Sequence, residues 1–275
     1  MHPISLRSLI QGLMLAHGKT MEALEKEANL SRRRATEILQ GLSDLGLARY
    51  EKHAASITSE GILFLELFKN SNWKKMHEIL SANNVEYQTI ASILRDNEGP
   101  HGLTISEICR RQEQVRLNVV ISEVCLEWGI RLGIFQKNLY TSGLSSRYYF
   151  VSKEDETPDS FERTLIESYN QLNVRKSGQR LFYVSIPELR EVVCERLRLR
   201  RTFFDEMLRD LCLTSTGRIE LSGGPLTGTA RKAPTRKLSI FADRSSFIMA
   251  PRIALEDEEG LRMQGRVYQM VAFLR

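Results

Sequence analysis

The chain has 275 residues, of which 42% are hydrophobic and 27% are charged, and this balance excludes wholesale disorder and allows two or three domains. No apolar run approaches the ~20 residues that span a bilayer, and the first residues lack the layout of a secretion signal, so we expect a cytoplasmic protein with no membrane partner. The formal charge of +5 is concentrated, because residues 160–252 carry 17 basic and 10 acidic side chains. A localised basic surface attracts polyanions, most commonly nucleic acid.

Residues 1–70 predict three helices followed by a short extended segment. Apolar residues recur at helical spacing from Ile4 to Met14, a second helix is expected over about 21–28, and Ser31 is a plausible N-cap of the third. Gly46 ends that third helix before Leu47–Tyr50. Its apolar face comprises Ala35, Ile38, Leu39, Leu42 and Leu45. Helix, short turn, helix and extended segment is the order of a helix-turn-helix with a wing behind it.

The segment Leu30–Gly61, LSRRRATEILQGLSDLGLARYEKHAASITSEG, resembles the recognition helix and wing of winged-helix transcriptional regulators. Both the break at Leu45–Leu47 and the entry into a following helix at Thr58–Gly61 fit that pattern. The resemblance implies a winged-helix fold and binding to double-stranded DNA, although a fold of this kind identifies a ligand less firmly than it identifies an architecture.

Polar residues lie opposite the apolar face of the helix that begins at Ser31. Arg33, Thr36 and Gln40 form a stripe suited to the major groove, because Arg can bond guanine bidentately and Gln can bond adenine in the same way. Arg32 and Arg34 flank this stripe and suit phosphates. The alternative interpretation is a solvated basic helix face without a ligand.

Residues 62–84 are predicted to be helical, and 71–85 are assigned as a linker helix. The segment Phe64–Phe68 lies in a stretch that is apolar on most of its circumference, so it needs cover from another domain or another subunit. Intramolecular packing and a homodimer interface both satisfy this requirement.

Residues 86–157 repeat the scheme of the first 70 and end in a polar linker. Thr104 and Glu107 predict a capping box, and a third helix beginning near Asn118 is expected to turn Val120, Val124 and Trp128 inward. Two strands, Ile134–Gln136 and Arg147–Val151, predict a hairpin wing. The candidate DNA contacts are Arg116, Asn118, Ser122, Lys137 and Arg147. Acidic residues on the same helix would repel phosphate, so an architectural module is an equal alternative.

Residues 158–252 predict a third module of this kind. Its first helix carries Phe161, Leu165, Ile166, Tyr169 and Leu172 on its apolar face. A strand is expected over 181–184, a helix from Ser185, and another helix opened by Thr202 with Asp205. Further strands are expected over 218–221, 238–241 and 247–249, with a long basic loop between the first two.

Apart from Arg209, the basic groups of this third module lie outside the helix opened by Thr202. That helix presents Asp205, Glu206 and Asp210, a poor surface for a groove lined by phosphates. Contacts to the DNA backbone or minor groove are instead expected from Arg198, Arg200, Arg201, Arg231, Lys232, Arg236 and Lys237. The tail, 253–275, ends in the apolar segment Val267–Leu274, which needs a surface to dock on and could be a strand or a helix.

Catalytic and metal-binding patterns are not found in the sequence. The four cysteines form no Cys-x-x-Cys pair and each falls in a helical apolar pattern, so we expect small buried hydrophobic residues. The five histidines are scattered, and neither a Gly-x-Ser-x-Gly elbow nor a glycine-rich nucleotide-binding motif occurs. We predict no enzymatic activity, no catalytic residues, no metal and no cofactor.

Together these patterns predict a mainly α protein with small β-wings, an α+β chain of three consecutive winged-helix-like modules. Its predicted function is double-stranded DNA binding, as a transcriptional regulator or a chromosome-associated factor. The main alternative is a winged-helix scaffold for protein–protein interaction, docking through Phe64–Phe68, Val267–Leu274 and the acidic face of Asp205, Glu206 and Asp210. A small-molecule sensor is a third and weaker alternative.

Overall fold

The computed structural model describes residues 4–15, 31–51, 54–111, 115, 117–141, 143–151, 158–175, 183–215, 217–223 and 260–274. These residues are mainly helical, with small antiparallel sheets. The chain divides into two units: unit 1 comprises Met1–Lys137 and Thr141–Phe150, and unit 2 comprises Asn138–Tyr140 and Val151–Arg275. Among the described residues, no helix has the length and apolar character needed to cross a bilayer.

The first part of unit 1 contains four described helices and one hairpin. They are α1 (Leu6–Leu15), α2 (Arg32–Asp44), β1 (Ala48–Glu51), β2 (Ala54–Ile57), α3 (Ser59–Lys69) and α4 (Trp73–Asn83). The predicted cap of α2 is confirmed, since Ser31 Oγ accepts from the Arg34 amide at 3.4 Å. Gly46 follows the helix with φ +67°, a conformation that favours glycine. The five residues of the predicted apolar face of α2 are all buried. The predicted second helix, at about 21–28, lies outside the described residues.

Glycines allow α1 and α2 to approach each other closely. A Cβ added at Gly12 of α1 would lie 2.3 Å from Ile38 Cγ2, and one added at Gly41 of α2 would lie 2.4 Å from Ile4 Cδ1. Real Cβ atoms do not approach this closely, so any larger residue forces the neighbouring side chain to move. The two helices therefore fix the orientation of the outer face of α2.

The second part of unit 1 places a three-stranded sheet beside three helices. Its elements are α5 (Val85–Arg95), β3 (Leu103–Thr104), α6 (Ile105–Arg110), α7 (Val119–Arg131), β4 (Phe135–Lys137) and β5 (Arg147–Phe150). The strands are ordered β3–β5–β4, with both pairings antiparallel. The capping box of Thr104 and Glu107 is confirmed. The inward position predicted for Val120 is wrong: this side chain is 53% exposed, whereas Trp128 is buried.

One hydrophobic core joins the two parts of unit 1. Trp128 Nε1 donates to the Ile4 carbonyl at 2.8 Å, and the Leu6 amide donates to Glu127 Oε2 at 3.0 Å. The C-terminal half of α7 is therefore held against the start of α1. On α3, Phe64 and Leu67 of the predicted docking segment are buried in this core, and the exposed apolar residues are its neighbours Ile62 and Leu63.

Unit 2 repeats the strand order of the sheet in unit 1. Its elements are α8 (Pro158–Arg175), β6 (Val184–Ser185), α9 (Ile186–Leu197), α10 (Arg201–Thr214), β7 (Ile219–Ser222), β8 (Leu261–Met263), β9 (Arg266–Tyr268) and β10 (Met270–Phe273). The order β6–β10–β7 corresponds to β3–β5–β4, because in both sheets the last strand lies between the two earlier ones. Strands β8 and β9 form a separate hairpin.

Several expectations for unit 2 are corrected by these elements. The tail ends in a strand, β10, whose Val271 and Ala272 are buried in the sheet, so most of Val267–Leu274 docks within its own unit. Ile166 was expected in the core and is exposed. Helix α10 begins at Arg201, so Thr202 does not cap it. The strands predicted at 238–241 and 247–249 lie outside the described residues.

Candidate nucleic-acid interface

The outer face of α2 carries the predicted DNA-reading residues. Arg32 and Gln40 are exposed, Arg33 has 90% of its side chain exposed, and Arg34 and Thr36 are half-buried. The opposite side of the helix is in the core. Since α1 fixes α2 by close packing, the polar stripe forms an outward-facing ridge. On the adjoining hairpin, Arg49 is also exposed, a basic residue that the sequence analysis did not select.

Glu37 binds two of the arginines on this ridge. Arg33 Nε donates to Glu37 Oε1 at 3.1 Å, and Arg34 Nη1 donates to Glu37 Oε2 at 3.0 Å. These hydrogen bonds, first from Arg34 and then from Arg33, hold the pKa of the Glu37 carboxyl below its usual value. Glu37 was not among the predicted site residues, although its spacing of three and four residues from the arginines is the spacing of helical ion pairs.

Thr36 has a local partner of its own, because its hydroxyl donates to the Arg32 carbonyl at 2.9 Å. The oxygen lone pairs of a hydroxyl that donates in this way still accept hydrogen bonds. Thr36 is therefore suited to accept from a base rather than to donate to one.

The predicted DNA contacts on α7 and on the strands β4 and β5 are only partly exposed. Asn118 is exposed, but its Oδ1 accepts from the Ile121 amide at 2.9 Å and caps the helix. Ser122 was expected on the surface and is fully buried, with its hydroxyl 3.4 Å from Cys109 Sγ. Arg147 is half-buried. Lys137 lies 5.7 Å from the centre of the Tyr148 ring, and burial lowers its pKa. Arg116 lies outside the described residues.

The exposed start of α7 is apolar and acidic rather than basic. Val119, Val120 and Glu123 are exposed there. Farther along the helix, Glu127 is half-buried and pairs with Arg131 and the Leu6 amide. This surface is a poor match for a phosphate backbone.

Charged residues of α9 and α10 form buried ion pairs in unit 2. Arg201, expected as an exposed basic group, is buried, and its guanidinium donates to both Glu191 oxygens, at 2.5 Å from Nε and 2.8 Å from Nη2. Arg190, fully buried, donates from Nε to Asp205 Oδ1 at 2.8 Å. The expectation of a surface role for Arg201 is therefore wrong. Its charge is buried and is compensated there by the carboxylate of Glu191.

The same acidic residues of α9 bind the segment Asn138–Tyr140, which belongs to unit 2. The Leu139 amide donates to Glu191 Oε2 at 2.9 Å, and the Asn138 amide group donates to Glu195. Glu191 thus accepts hydrogen bonds from one side chain and one backbone group. These contacts satisfy carboxylates that would otherwise be costly to bury.

The remaining predicted basic contacts of unit 2 fall into two groups. Arg200 is exposed and Arg198 is half-buried at the end of α9, where its φ is +58°. Arg231, Lys232, Arg236 and Lys237 of the predicted basic loop lie outside the described residues.

The hairpin β8–β9 adds two exposed arginines that the sequence analysis missed, Arg262 and Arg266. Its tight turn, Gln264–Gly265, has positive φ at both residues, +50° and +75°, as a type I′ hairpin turn requires. Arg209 of α10 donates from Nη2 to the Arg262 carbonyl at 3.4 Å and so connects the hairpin to the helix. The pair Gln264–Gly265 was the sequence signal for a two-residue hairpin turn. The acidic run Glu256–Glu259 before it gave the tail a net negative charge and hid the two arginines.

The described residues do not bring metal-binding groups together. Among them, no group of three or more His, Cys, Asp or Glu side chains is placed to hold a metal ion. Cys125 and Cys194 are buried, as expected, while Cys109 and Cys212 are half-buried. Burial raises the pKa of Cys194 and raises that of Cys212 to about 11, so both remain thiols near neutral pH.

No protein-family model matches the chain, and no curated protein matches it either. What this chain binds therefore has to be inferred from its own residues and their chemistry.

Proposed function

We propose that this chain is a non-enzymatic double-stranded DNA-binding protein made of three winged-helix modules. It acts as a transcriptional regulator or a chromosome-associated factor. The single observation that carries the proposal is the outward ridge of α2, in which Arg32, Arg33 and Gln40 are exposed while the other side of the helix is buried.

The order of elements supports the proposed modules. Residues 85–150 contain a helix, a strand, two helices and two further strands. The described part of residues 158–274 begins in the same order but ends in four strands, and in both three-stranded sheets the last strand lies in the middle. Residues 32–57 contain a helix followed directly by a hairpin. Two helices with a hairpin behind them are the arrangement of a helix-turn-helix with a wing.

The chemistry of α2 supports a role in the major groove. A helix fits the ~12 Å width of this groove, and a recognition helix contacts base edges with its N-terminal residues. Arg33, near the N-terminus, suits guanine, and Gln40 suits adenine two turns later. Arg32 and Arg34 lie beside this stripe and contact phosphates.

Unit 2 contributes contacts that are independent of sequence. Exposed Arg200, Arg262 and Arg266 contact the phosphate backbone, together with the basic loop of residues 231–237. Such contacts supply affinity, while α2 supplies the sequence preference.

Duplex binding measured by fluorescence anisotropy over a salt series tests the proposal. We expect the logarithm of the association constant to fall linearly with log salt, with a slope of about −0.9 per phosphate contact. Arg33→Gln is expected to relax the sequence preference found by selection from a random duplex pool. Lys69→Gln, which removes an exposed basic residue at the end of α3, is the matched control and should leave the preference unchanged. Absence of duplex binding at 50 mM salt refutes the proposal.

A protein-interaction scaffold is the second candidate function. It is favoured by the exposed apolar residues Val119 and Val120 at the start of α7 and by Ile62 and Leu63 on α3. Glu206 and Asp210 of the predicted acidic face are also exposed, which suits a basic partner. Stable co-purification with a partner, without affinity for any duplex, would favour this function over DNA binding.

A further inference from the structure

The carboxylate of Glu37 is hydrogen-bonded to both arginines at the centre of the proposed DNA-binding ridge. Each of its two oxygens accepts from one guanidinium, at 3.1 Å from Arg33 and 3.0 Å from Arg34. A carboxylate and a phosphate present the same kind of paired anionic oxygens to a guanidinium. Glu37 therefore occupies the position that a phosphate would take if either arginine held the DNA backbone.

We infer that Glu37 is an internal competitor of DNA phosphate that limits sequence-independent binding by α2. This inference rests on the proposed function, because it needs α2 to face a duplex. An arginine that turns to a phosphate loses its bond to Glu37. It also leaves an unpaired carboxylate beside a polyanion, so part of the gain from each phosphate contact is cancelled.

The exposure of the two arginines allows each of them to exchange its bond to Glu37 for a bond to a phosphate. Arg33 is 90% exposed and Arg34 is 38% exposed, so both guanidinium groups can reach solvent without unpacking the core. Exposed ion pairs within a helix are weak, and a phosphate can displace them. Glu37 thus lowers the affinity of the two arginines for phosphate without blocking them.

The substitution Glu37→Gln tests this role, because it removes the charge and keeps the shape of the side chain. The assay is anisotropy with a mixed-sequence duplex between 50 and 200 mM salt. In a sequence-independent complex Arg33 has no preferred guanine to contact, so release of both arginines to phosphates steepens the salt slope by up to about 1.8. Over this fourfold salt range, that change makes the variant lose about twelvefold more affinity than the wild type. At 50 mM salt, the variant is expected to bind more tightly than the wild type.

Asp44→Asn is the matched control. It removes the same charge from an exposed position at the end of the same helix, away from both arginines. Its salt slope should equal that of the wild type. In an Arg33→Gln/Arg34→Gln background, Glu37→Gln should no longer steepen the slope. Glu37→Ala, which also suits a helix, is expected to reproduce the effect of Glu37→Gln.

Two results overturn the inference while leaving the proposed function intact. One is weaker binding by Glu37→Gln, which would mean that Glu37 positions the arginines for DNA. The other is a slope no steeper than that of Asp44→Asn. If neither the wild type nor Glu37→Gln binds the duplex at 50 mM salt, the proposed function fails and the inference fails with it.

Discussion

The buried pair of Arg201 and Glu191 predicts that a residue with the appearance of a DNA contact stabilises the fold instead. Arg201→Ala would leave the carboxylate of Glu191 buried, with the Leu139 amide as its remaining hydrogen-bond donor among the contacts described above. Breaking a buried pair from one side costs about 3–5 kcal/mol. Because urea m-values for small domains are about 1–3 kcal/mol/M, the unfolding midpoint of unit 2 should fall by at least about 1 M.

Urea unfolding followed by circular dichroism measures this loss. The control is Arg163→Ala, which removes an exposed arginine of α8 and should change stability by less than about 0.5 kcal/mol. Arg201→Met combined with Glu191→Gln should recover much of the loss, because it removes both charges and keeps an oxygen for the Leu139 amide. Equal stabilities of Arg201→Ala and Arg163→Ala would refute the reasoning.

Three further predictions concern other parts of the molecule. Burial lowers the pKa of His77 below its ordinary value of 6.5, so the folded state binds this proton less readily than the unfolded state does. The free energy of unfolding should therefore fall as the pH drops below about 6.5. His77→Gln should weaken this pH dependence, which urea unfolding at pH 7.5 and at pH 5 measures. Gly12→Ala should cost about 1–3 kcal/mol in thermal unfolding, because its Cβ would meet Ile38 at 2.3 Å. Arg262→Gln with Arg266→Gln should flatten the salt slope of duplex binding by up to about 1.8, and an unchanged slope would exclude the hairpin from the interface.

Features determined by neighbouring residues were predictable from the sequence. The caps at Ser31 and Thr104 and the helix end at Gly46 depend on contacts within three or four positions, and all three are confirmed. The apolar face of α2 was also predicted in full, since one side of this helix meets the core along its whole length.

Which side of α7 is buried was harder to predict from the sequence, because residues far away in the chain cover part of this helix. A spacing of four residues favoured Val120, Val124 and Trp128, but Val120 is exposed and Ser122 is buried. The Trp128 side chain reaches the Ile4 carbonyl, a contact across 124 positions in sequence. Such a long-range contact selects which side of a helix is covered, and periodicity alone does not contain it.

Buried charges in the candidate site were missed for the same reason. Arg201 was interpreted as a surface group, and Arg190 was not considered, because charged residues are rarely buried without a partner. Their partners, Asp205 and Glu191, are 15 and 10 positions away and lie on the other helix of the pair α9–α10. The exposed basic groups on the hairpin, by contrast, became apparent only when the tail was seen to form strands.

The position of β10 in the middle of its sheet has a consequence for synthesis on the ribosome. Strands β6 and β7 both pair with β10 and not with each other, so neither has its partner until residues 270–273 have emerged from the exit tunnel. The elements of unit 1 are complete by residue 150, which permits that unit to fold first, as N-terminal domains generally do. Pairing between residues 185 and 270 closes a long loop, and such non-local contacts form slowly. Nascent chains arrested before residue 270 should therefore expose the unpaired strands β6 and β7 to chaperones.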